Sequence, residues 1–334
     1  MPDVPRIVTV SRPVLRPMFD AMEARLTAKG FQVAPYRTLD AFLADPTALA
    51  EADILLAAGN TPCTRALMQG APRLRAVISP YTGTDGFDES AATDLGILVA
   101  NGQTPENSES MAEATILLML AALYDLHGSE AVLRGTIPRP EHSRAFMLRG
   151  KTIGMVGYGN IARAMTVRLA GWGVRLLAWS RRPDPTVSAV EWVELDTLLG
   201  GSDVVCVLLS LNAGTQGLLD ATRLRRMKPD VVLVNTARGG IIDEAALVDL
   251  AQERPAMRIA LDTFATEPLP ADSALRKLPN TILTPHMVGH TVESHAVLPG
   301  VAVEAIERIL AGEPPLYVRN PEIIPSWRRR WSRQ

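Results

Sequence analysis

Ile153-Gly154-Met155-Val156-Gly157-Tyr158-Gly159-Asn160-Ile161-Ala162 is the stretch that decides the fold. An apolar run enters a Gly-x-Gly-x-x-Ala turn and leaves it as a helix. Gly157 permits the tight turn, Gly159 lets the backbone approach a pyrophosphate, and Ala162 is small enough for the helix to pack on the strand. A pyrophosphate there would lie at the positive N-terminus of the helix. A glycine-bearing βα turn with no ligand would show the same glycines. The preceding strand, the following helix and the next strand all fall in place, which favours a dinucleotide. About 20 residues further on, an NAD site places Asp or Glu to bind the ribose 2′-hydroxyl. This chain has Trp179-Ser180-Arg181-Arg182 instead. A serine hydroxyl and two guanidinium groups would hold a 2′-phosphate by charge-assisted hydrogen bonds. NADP is therefore the favoured cofactor and NAD the other option, with a solvated basic turn before Pro183 as the competing reading of these residues.

Outward from this turn, strand-like runs alternate with helical patterns along nearly the whole chain. The first series has strand candidates at 7–10, 32–35, 53–57, 76–79 and 97–100. The second has them at 152–156, 174–179, 204–209, 231–235, 258–262 and 281–284. Such alternation argues for parallel βαβ units in an α/β fold, with helices on both faces of each sheet. Helical patterns are expected at about 13–29, closed by Gly30, at about 108–126, and at about 292–310. A stretch rich in Pro and Arg, 134–149, connects and covers. At 334 residues the chain is too long for one ordinary core and suits two domains.

Composition removes several classes of protein. Apolar residues make up 47% and charged residues 21%, which fits a globular chain and not a disordered one. A net charge of −2 gives no overall field toward a polyanion, so no nucleic-acid partner is expected. The longest apolar segment, Ile116 to Tyr124, falls far short of the roughly 20 residues of a membrane span, so a buried helix is the expectation and a membrane partner is not. The start, Met1-Pro2-Asp3-Val4-Pro5-Arg6, lacks the pattern of a secretory signal. Cys63 and Cys206 lie apart within apolar stretches and read as reduced core thiols. A cytoplasmic location follows as the expectation.

Three further stretches carry chemistry. They are Asn235-Thr236-Ala237-Arg238-Gly239-Gly240, Asp262-Thr263-Phe264-Ala265-Thr266-Glu267-Pro268 and Leu283-Thr284-Pro285-His286. Each sets one able side chain, Arg238, Glu267 or His286, just beyond a buried-strand run. Ligands of open α/β sheets bind outside the carboxyl ends of the strands, so the three can converge. A fixed cation, a carboxylate and an imidazole suit reduction of a carbonyl that sits beside a carboxylate. Singly, each has a plainer reading: a turn cation, a solvated loop acid and a capped structural imidazole. Their joint position after successive strands favours the catalytic one.

With the turn and these stretches assembled, the chain resembles the D-isomer-specific 2-hydroxyacid dehydrogenases over roughly residues 6–321. The most specific part runs from Ser202-Asp203 through Asn235-Thr236-Ala237-Arg238-Gly239-Gly240-Ile241-Ile242-Asp243-Glu244. Asn107-Ser108-Glu109-Ser110-Met111-Ala112-Glu113 is similar to the start of the family's interdomain helix, Thr82-Gly83-Thr84-Asp85 to its substrate-carboxylate loop, and Gly312-Glu313-Pro314-Pro315 to its close. The resemblance implies two doubly wound parallel-sheet domains. A Rossmann cofactor domain, 103–287, would be inserted into a flavodoxin-like substrate domain, 1–102 with 288–334. It also implies roles: Arg238 binding substrate, Glu267 partnering His286, and His286 donating the proton. Thr82 and Gly83 would cradle the substrate carboxylate. Asp262 would bond the nicotinamide carboxamide, Asn160 and Ile161 would lie at the pyrophosphate, and Leu209, Thr236, Ala237 and Gly289 would border the cofactor. Two departures stand out. Leu208 and Ser210 replace a usual histidine and proline, and Met287-Val288-Gly289-His290 follows His286 where two small residues are more usual.

The reaction so implied is reduction of a small 2-keto acid, such as glyoxylate or hydroxypyruvate, to a D-2-hydroxy acid. A cofactor-sensing, corepressor-like protein on the same fold is the rival. Phosphorylated substrates are disfavoured because Ala58-Gly59-Asn60-Thr61-Pro62 carries no cation where the resembling phosphoglycerate enzymes place an arginine, and phosphite is disfavoured by Thr82 standing where a lysine would be needed. His286 and His290 are four apart, but Pro285 and Gly289 favour a loop, so no metal is expected. His127, His142 and His295 read as structural or solvent-facing. A homodimer is expected through the apolar helix near 108–126. The basic tail from Pro325, with Trp327 and Trp331, is expected to be solvated or to pack its tryptophans on its own domain or on a partner subunit.

Overall fold

The computed structural model describes residues 4–331. It separates into two compact units, Met1–Asn107 with Thr291–Gln334, and Ser108–His290. The changes of unit thus fall after Asn107 and His290, against 102 and 287 in the sequence expectation.

In the first unit, β1 (Arg6–Val10), β2 (Gln32–Tyr36), β3 (Ile54–Ala57), β4 (Ala76–Ile78) and β5 (Leu98–Ala100) form one sheet in the order β2-β1-β3-β4-β5. Every pairing is parallel, and the order is that of flavodoxin-like folds. Successive residues of a strand face opposite ways, and here both faces are covered. Ile7, Ile54 and Leu56 pack with Phe19, Leu26, Ile306 and Trp327, while Val8, Leu55 and Val77 pack with Phe42 and Leu74. That is why the strands read as continuous apolar runs rather than as alternating ones.

The expected helix at 13–29 divides into a 3-10 turn, Pro13–Leu15, and an α-helix, Arg16–Ala28. A second proline, Pro17, lies in the first turn of the α-helix, where its missing N–H costs nothing. Val292–Leu310 forms as expected, closed at its start by a reciprocal capping box between Thr291 and Ser294. The C-terminal segment returns to β5. Arg319 N–H bonds Val99 O at 2.8 Å, and Asn320 accepts from Val99 N–H at 2.9 Å and donates to Ile97 O at 3.0 Å. An otherwise open sheet edge is thereby covered. The basic tail is a helix, Ile324–Trp331, on its own unit: Trp327 is buried and donates its indole N–H to Arg75 O at 2.9 Å, and the Arg75 guanidinium lies over the Trp331 ring. Ser332, Arg333 and Gln334 lie outside the described residues.

In the second unit, β6 (Thr152–Val156), β7 (Arg175–Trp179), β8 (Glu191–Trp192), β9 (Val204–Val207), β10 (Val232–Asn235), β11 (Arg258–Leu261) and β12 (Thr281–Leu283) are ordered β12-β11-β10-β9-β6-β7-β8. All pair in parallel. The order reverses between β6 and β9, the switch point of a Rossmann sheet, beside the Gly157 turn. β8 escapes the sequence reading because two residues on an edge leave no period to detect. The helix expected at 108–126 runs instead from Pro105 to Leu123, since proline suits a first helical position. Asp125 then takes a left-handed φ of 50° and breaks the run, and a second helix, Leu126–Leu133, follows at a 56° bend. Both cysteines are buried and free, and burial pushes both thiols up to about 12. Among the described residues no single helix is long and apolar enough to cross a membrane.

Candidate active site

Three turns at the carboxyl ends of β10, β11 and β12 build the site from one unit. After β10, the Asn235 side chain holds the backbone ahead of it. Its Oδ1 accepts from Ala237 N–H and its Nδ2 donates to Arg238 O, both at 3.0 Å. Thr236 pairs hydroxyl to hydroxyl with Thr115 at 2.8 Å. Arg238, half-buried, donates from Nη1 to Ala237 O at 2.7 Å. Gly239 lets this turn touch the next one, because a Cβ there would stand 1.9 Å from the Phe264 backbone carbon.

After β11, buried Asp262 shapes the histidine loop. Its Oδ1 accepts from Thr284 Oγ1 at 2.7 Å, from Met287 N–H at 3.0 Å and from Val288 N–H at 3.2 Å. His286, between them, sits at a left-handed φ of 56°. Its Nδ1 meets Glu267 Oε2 at 2.8 Å, and among the described residues Nε2 has no partner. Glu267 Oε1 accepts from Phe264 N–H at 3.1 Å. Burial pushes the Glu267 carboxyl upward, but the His286 hydrogen bond, the Phe264 N–H and the charges of His286 and Arg238 outweigh it, so its pKa lies below the usual carboxylate range. The site therefore pairs an ionised carboxylate with an imidazole whose far nitrogen is available for proton transfer.

The turn after β6 fits a dinucleotide. Gly157 has a φ of +104°, and a Cβ there would be 2.8 Å from both Leu208 O and the Leu209 side chain. Its N–H goes to Trp179 O at 2.9 Å. Gly159 has open space on its Cβ side and precedes the helix Asn160–Arg168. The N–H groups of Asn160 and Ile161 have no acceptor among the described residues, as an anion site requires. Ala162 is fully buried against the sheet. Beyond β7, Ser180 Oγ accepts from Arg182 N–H at 3.3 Å. Arg181 and Arg182 are exposed and, among the described residues, have no ion-pair partner. The nearby carboxylate, Asp184, is engaged by Arg163 at 3.3 Å.

A model of the D-isomer specific 2-hydroxyacid dehydrogenase NAD binding domain matches residues 116–288. The chain belongs to the D-isomer specific 2-hydroxyacid dehydrogenase family. Within it, the chain is 35% identical over 269 residues to the D-3-phosphoglycerate dehydrogenase of Mycobacterium leprae, covering 80% of this chain and 51% of that one. It thus spans about half the length of the curated relatives of that name that it matches. It is 34% identical to the glyoxylate reductase of Thermofilum pendens, covering 77% of this chain and 78% of that one. Among solved structures it resembles the NADPH-dependent glyoxylate/hydroxypyruvate reductase of Sinorhizobium meliloti in complex with NADP and malonate. There the TM-score is 0.84 at 26% identity, over 99% of each chain.

In this dehydrogenase-family chain, the three turns bring Arg238, Glu267 and His286 into one electrostatic group, and the Leu209 side chain lies beside Gly157. Gly289 stands against Met111, and its carbonyl accepts from Ser110 Oγ at 2.8 Å. Asp262 does more than the sequence reading gave it: its Oδ1 anchors the histidine loop. Thr82 and Gly83 belong to the first unit. The N–H groups of Thr82, Gly83 and Thr84 have no acceptor among the described residues. Sequence reasoning missed Glu244, which takes the Ala265 N–H. Burial pushes its pKa upward, opposed by that N–H and assisted by the charge of Glu267. Its only local signal was an acid opening a helix behind the Asp243 cap. His286 and His290 lie on a loop, and no group of three or more potential metal ligands occurs among the described residues.

Proposed function

We propose that the protein is an NADPH-dependent reductase of small, unphosphorylated 2-keto acids, forming D-2-hydroxy acids, with glyoxylate and hydroxypyruvate as the first substrates to test. The observation that carries this reading is the 2.8 Å pair of His286 Nδ1 with Glu267 Oε2, which leaves Nε2 to face a reacting oxygen. When bound, the reduced nicotinamide supplies the hydride. Arg238 binds the substrate carboxylate and polarises the neighbouring carbonyl. His286 Nε2 gives its proton to the developing alkoxide, and ionised Glu267 steadies the ring and its positive charge. The unpaired N–H groups of Thr82, Gly83 and Thr84 supply an anion cradle.

Ser180, Arg181 and Arg182 in place of an acid support NADPH over NADH. The loop 58–62, without a cation, supports unphosphorylated substrates although many relatives are named for a phosphorylated one. Exposed Leu117, Tyr124, Leu126 and Leu133 support a homodimer through this stretch. A mass by light scattering near twice 36.1 kDa is expected. We place the enzyme in the cytoplasm.

The deciding experiment is a spectrophotometric screen of the purified protein with NADPH and a panel of 2-keto acids. Turnover of glyoxylate or hydroxypyruvate is expected. Tight NADPH binding with no oxidation by any keto acid would favour a cofactor-sensing protein instead, and efficient use of 3-phosphohydroxypyruvate would overturn the substrate class.

A further inference from the structure

A cavity of about 260 Å³ opens at the amino ends of β11 and β12, the opposite end of the sheet from the turns that carry Arg238, Glu267 and His286. Its lining residues all lie within the second unit. Arg258, the first residue of β11, is half-buried in its wall. The guanidinium caps the end of the helix Pro105–Leu123: Nη1 donates to Ala122 O at 2.5 Å and to Leu123 O at 2.8 Å, and Nη2 donates to Arg144 O. Phe146 lies against it, with the ring centre 5.0 Å from Cζ. Three carbonyls hold this cation, and no carboxylate pairs with it among the described residues. One acid of the wall, Asp125, is already paired with Arg144 at 3.2 Å. Burial presses the Arg258 pKa downward, opposed by the charge of Asp125 and assisted by that of Arg144. Two further wall atoms, Asn280 Oδ1 and Thr281 Oγ1, are buried and have no hydrogen-bond partner among the described residues. The Asn280 amide is oriented by its Nδ2, which donates to Met257 O. Buried polar atoms are rarely left unbonded, so these two point to a ligand.

We propose that this cavity is a second, non-catalytic binding site, for a small organic carboxylate whose neighbouring carbon carries a hydrogen-bond donor, either a hydroxyl or an ammonium. The ligand's carboxylate supplies Arg258 with the counter-charge that three carbonyls do not. Asn280 Oδ1 and exposed Asp230 accept from the ligand's donor, and the Thr281 hydroxyl serves either as donor or as acceptor. Ala121, Ala122 and Ile282 give the short side chain an apolar wall. The cavity is smaller than the roughly 300–1,000 Å³ of a drug-sized pocket, which limits the ligand to a few carbons. Along the chain, Arg258 and Asp262 stand at opposite ends of β11, about 13 Å apart at the rise of a strand. A ligand at Arg258 therefore does not compete with one at the catalytic turns, and need not be a substrate or product of the proposed reaction.

The test is calorimetric titration of the whole chain with lactate, alanine and propionate, in an Arg238→Gln background that removes the carboxylate-binding arginine of the proposed reaction. Lactate carries the hydroxyl, alanine the ammonium, and propionate neither. Lactate or alanine should bind at one equivalent per chain, and the tighter of the two tells hydroxyl from ammonium. Propionate should bind about 3- to 10-fold more weakly, for want of one hydrogen bond. Adding Arg258→Gln should weaken binding about 10- to 100-fold, the loss of a hydrogen bond to a charged group. Because Arg258 also holds a helix end, Thr281→Val is the second variant. It removes the hydroxyl at nearly constant shape and should weaken binding about 3- to 10-fold without lowering the urea midpoint. Binding of none of the three acids, equal affinity for propionate, or binding that survives both Arg258→Gln and Thr281→Val would overturn the inference. So would binding that disappears as protein concentration rises, which would give the cavity to a second copy of the chain. Turnover of keto acids by the wild type is measured separately, so failure of this site and failure of the proposed activity are distinguishable.

Discussion

Replacing His286 by asparagine separates the chemistry of the imidazole from its place in the fold. His286 holds a φ of 56°, a conformation that costs most L-residues about 1–2 kcal/mol and that asparagine adopts more readily. The substitution therefore adds no backbone strain. The lost contact with Glu267 is between side chains 39% and 36% exposed, where an ion pair contributes about 0–1 kcal/mol of stability. The urea midpoint should stay close to that of the wild type. Activity should not. General acid catalysis accounts for roughly 10²–10⁴-fold, equivalent to about 3–5 kcal/mol of transition-state stabilisation. The loss should appear in kcat, because the proton is needed only as the alkoxide forms. Initial rates of NADPH oxidation with saturating keto acid, tryptophan-fluorescence titration of NADPH and urea unfolding measure the three quantities separately. A folded His286→Asn protein that binds NADPH normally and turns over within tenfold of wild type would refute the assignment of His286 as proton donor. A protein that loses its fold but keeps its specific activity would make the histidine structural.

Glu267→Gln should be milder in kcat, since the imidazole stays, and its stability should show a defined pH dependence. The folded-state pKa of Glu267 is depressed, so its contribution, about 0–1 kcal/mol at this exposure, is present above the ordinary carboxylate pKa of about 4.3 and lost as pH falls through the lower folded value. Urea midpoints of wild type and variant should differ at neutral pH and converge in acid; a difference that widens in acid contradicts the pairing. Arg181→Asp should lower kcat/KM for NADPH about 10- to 100-fold, the loss of a charged hydrogen bond, and spare NADH, whereas equal losses with both cofactors would remove Arg181 from the 2′-phosphate site. Gly239→Ala drives a methyl to 1.9 Å from the Phe264 backbone, so a loss of about 1–3 kcal/mol in urea unfolding is expected, together with lost activity as the Glu267 loop is displaced. An unchanged midpoint would show that the β10 and β11 turns do not pack as described.

Local patterns settled much of this protein before any contact was known. Short apolar runs alternating with helical patterns gave both α/β series, and glycines at 157 and 159 gave the tight turn after β6, because such runs and turns are set by neighbours within a few residues. Arg238, Glu267 and His286 were legible for the same reason, each standing one turn past a buried strand. What lay beyond the sequence depends on which strands become neighbours. The 19-position separation of Glu267 and His286 says nothing of a 2.8 Å bond until β11 and β12 lie side by side. Asp262 as the anchor of the histidine loop, Glu244 beneath the Phe264–Glu267 turn and Asn107 on the Thr82 hydroxyl are likewise contacts across 21 to 26 residues. The two-residue strand β8 and the break at Asp125 escaped notice because so short a pairing and a single left-handed residue leave no period behind. Residue type and spacing state what chemistry is available; only tertiary packing decides which atom of each group is already occupied and which is left to act.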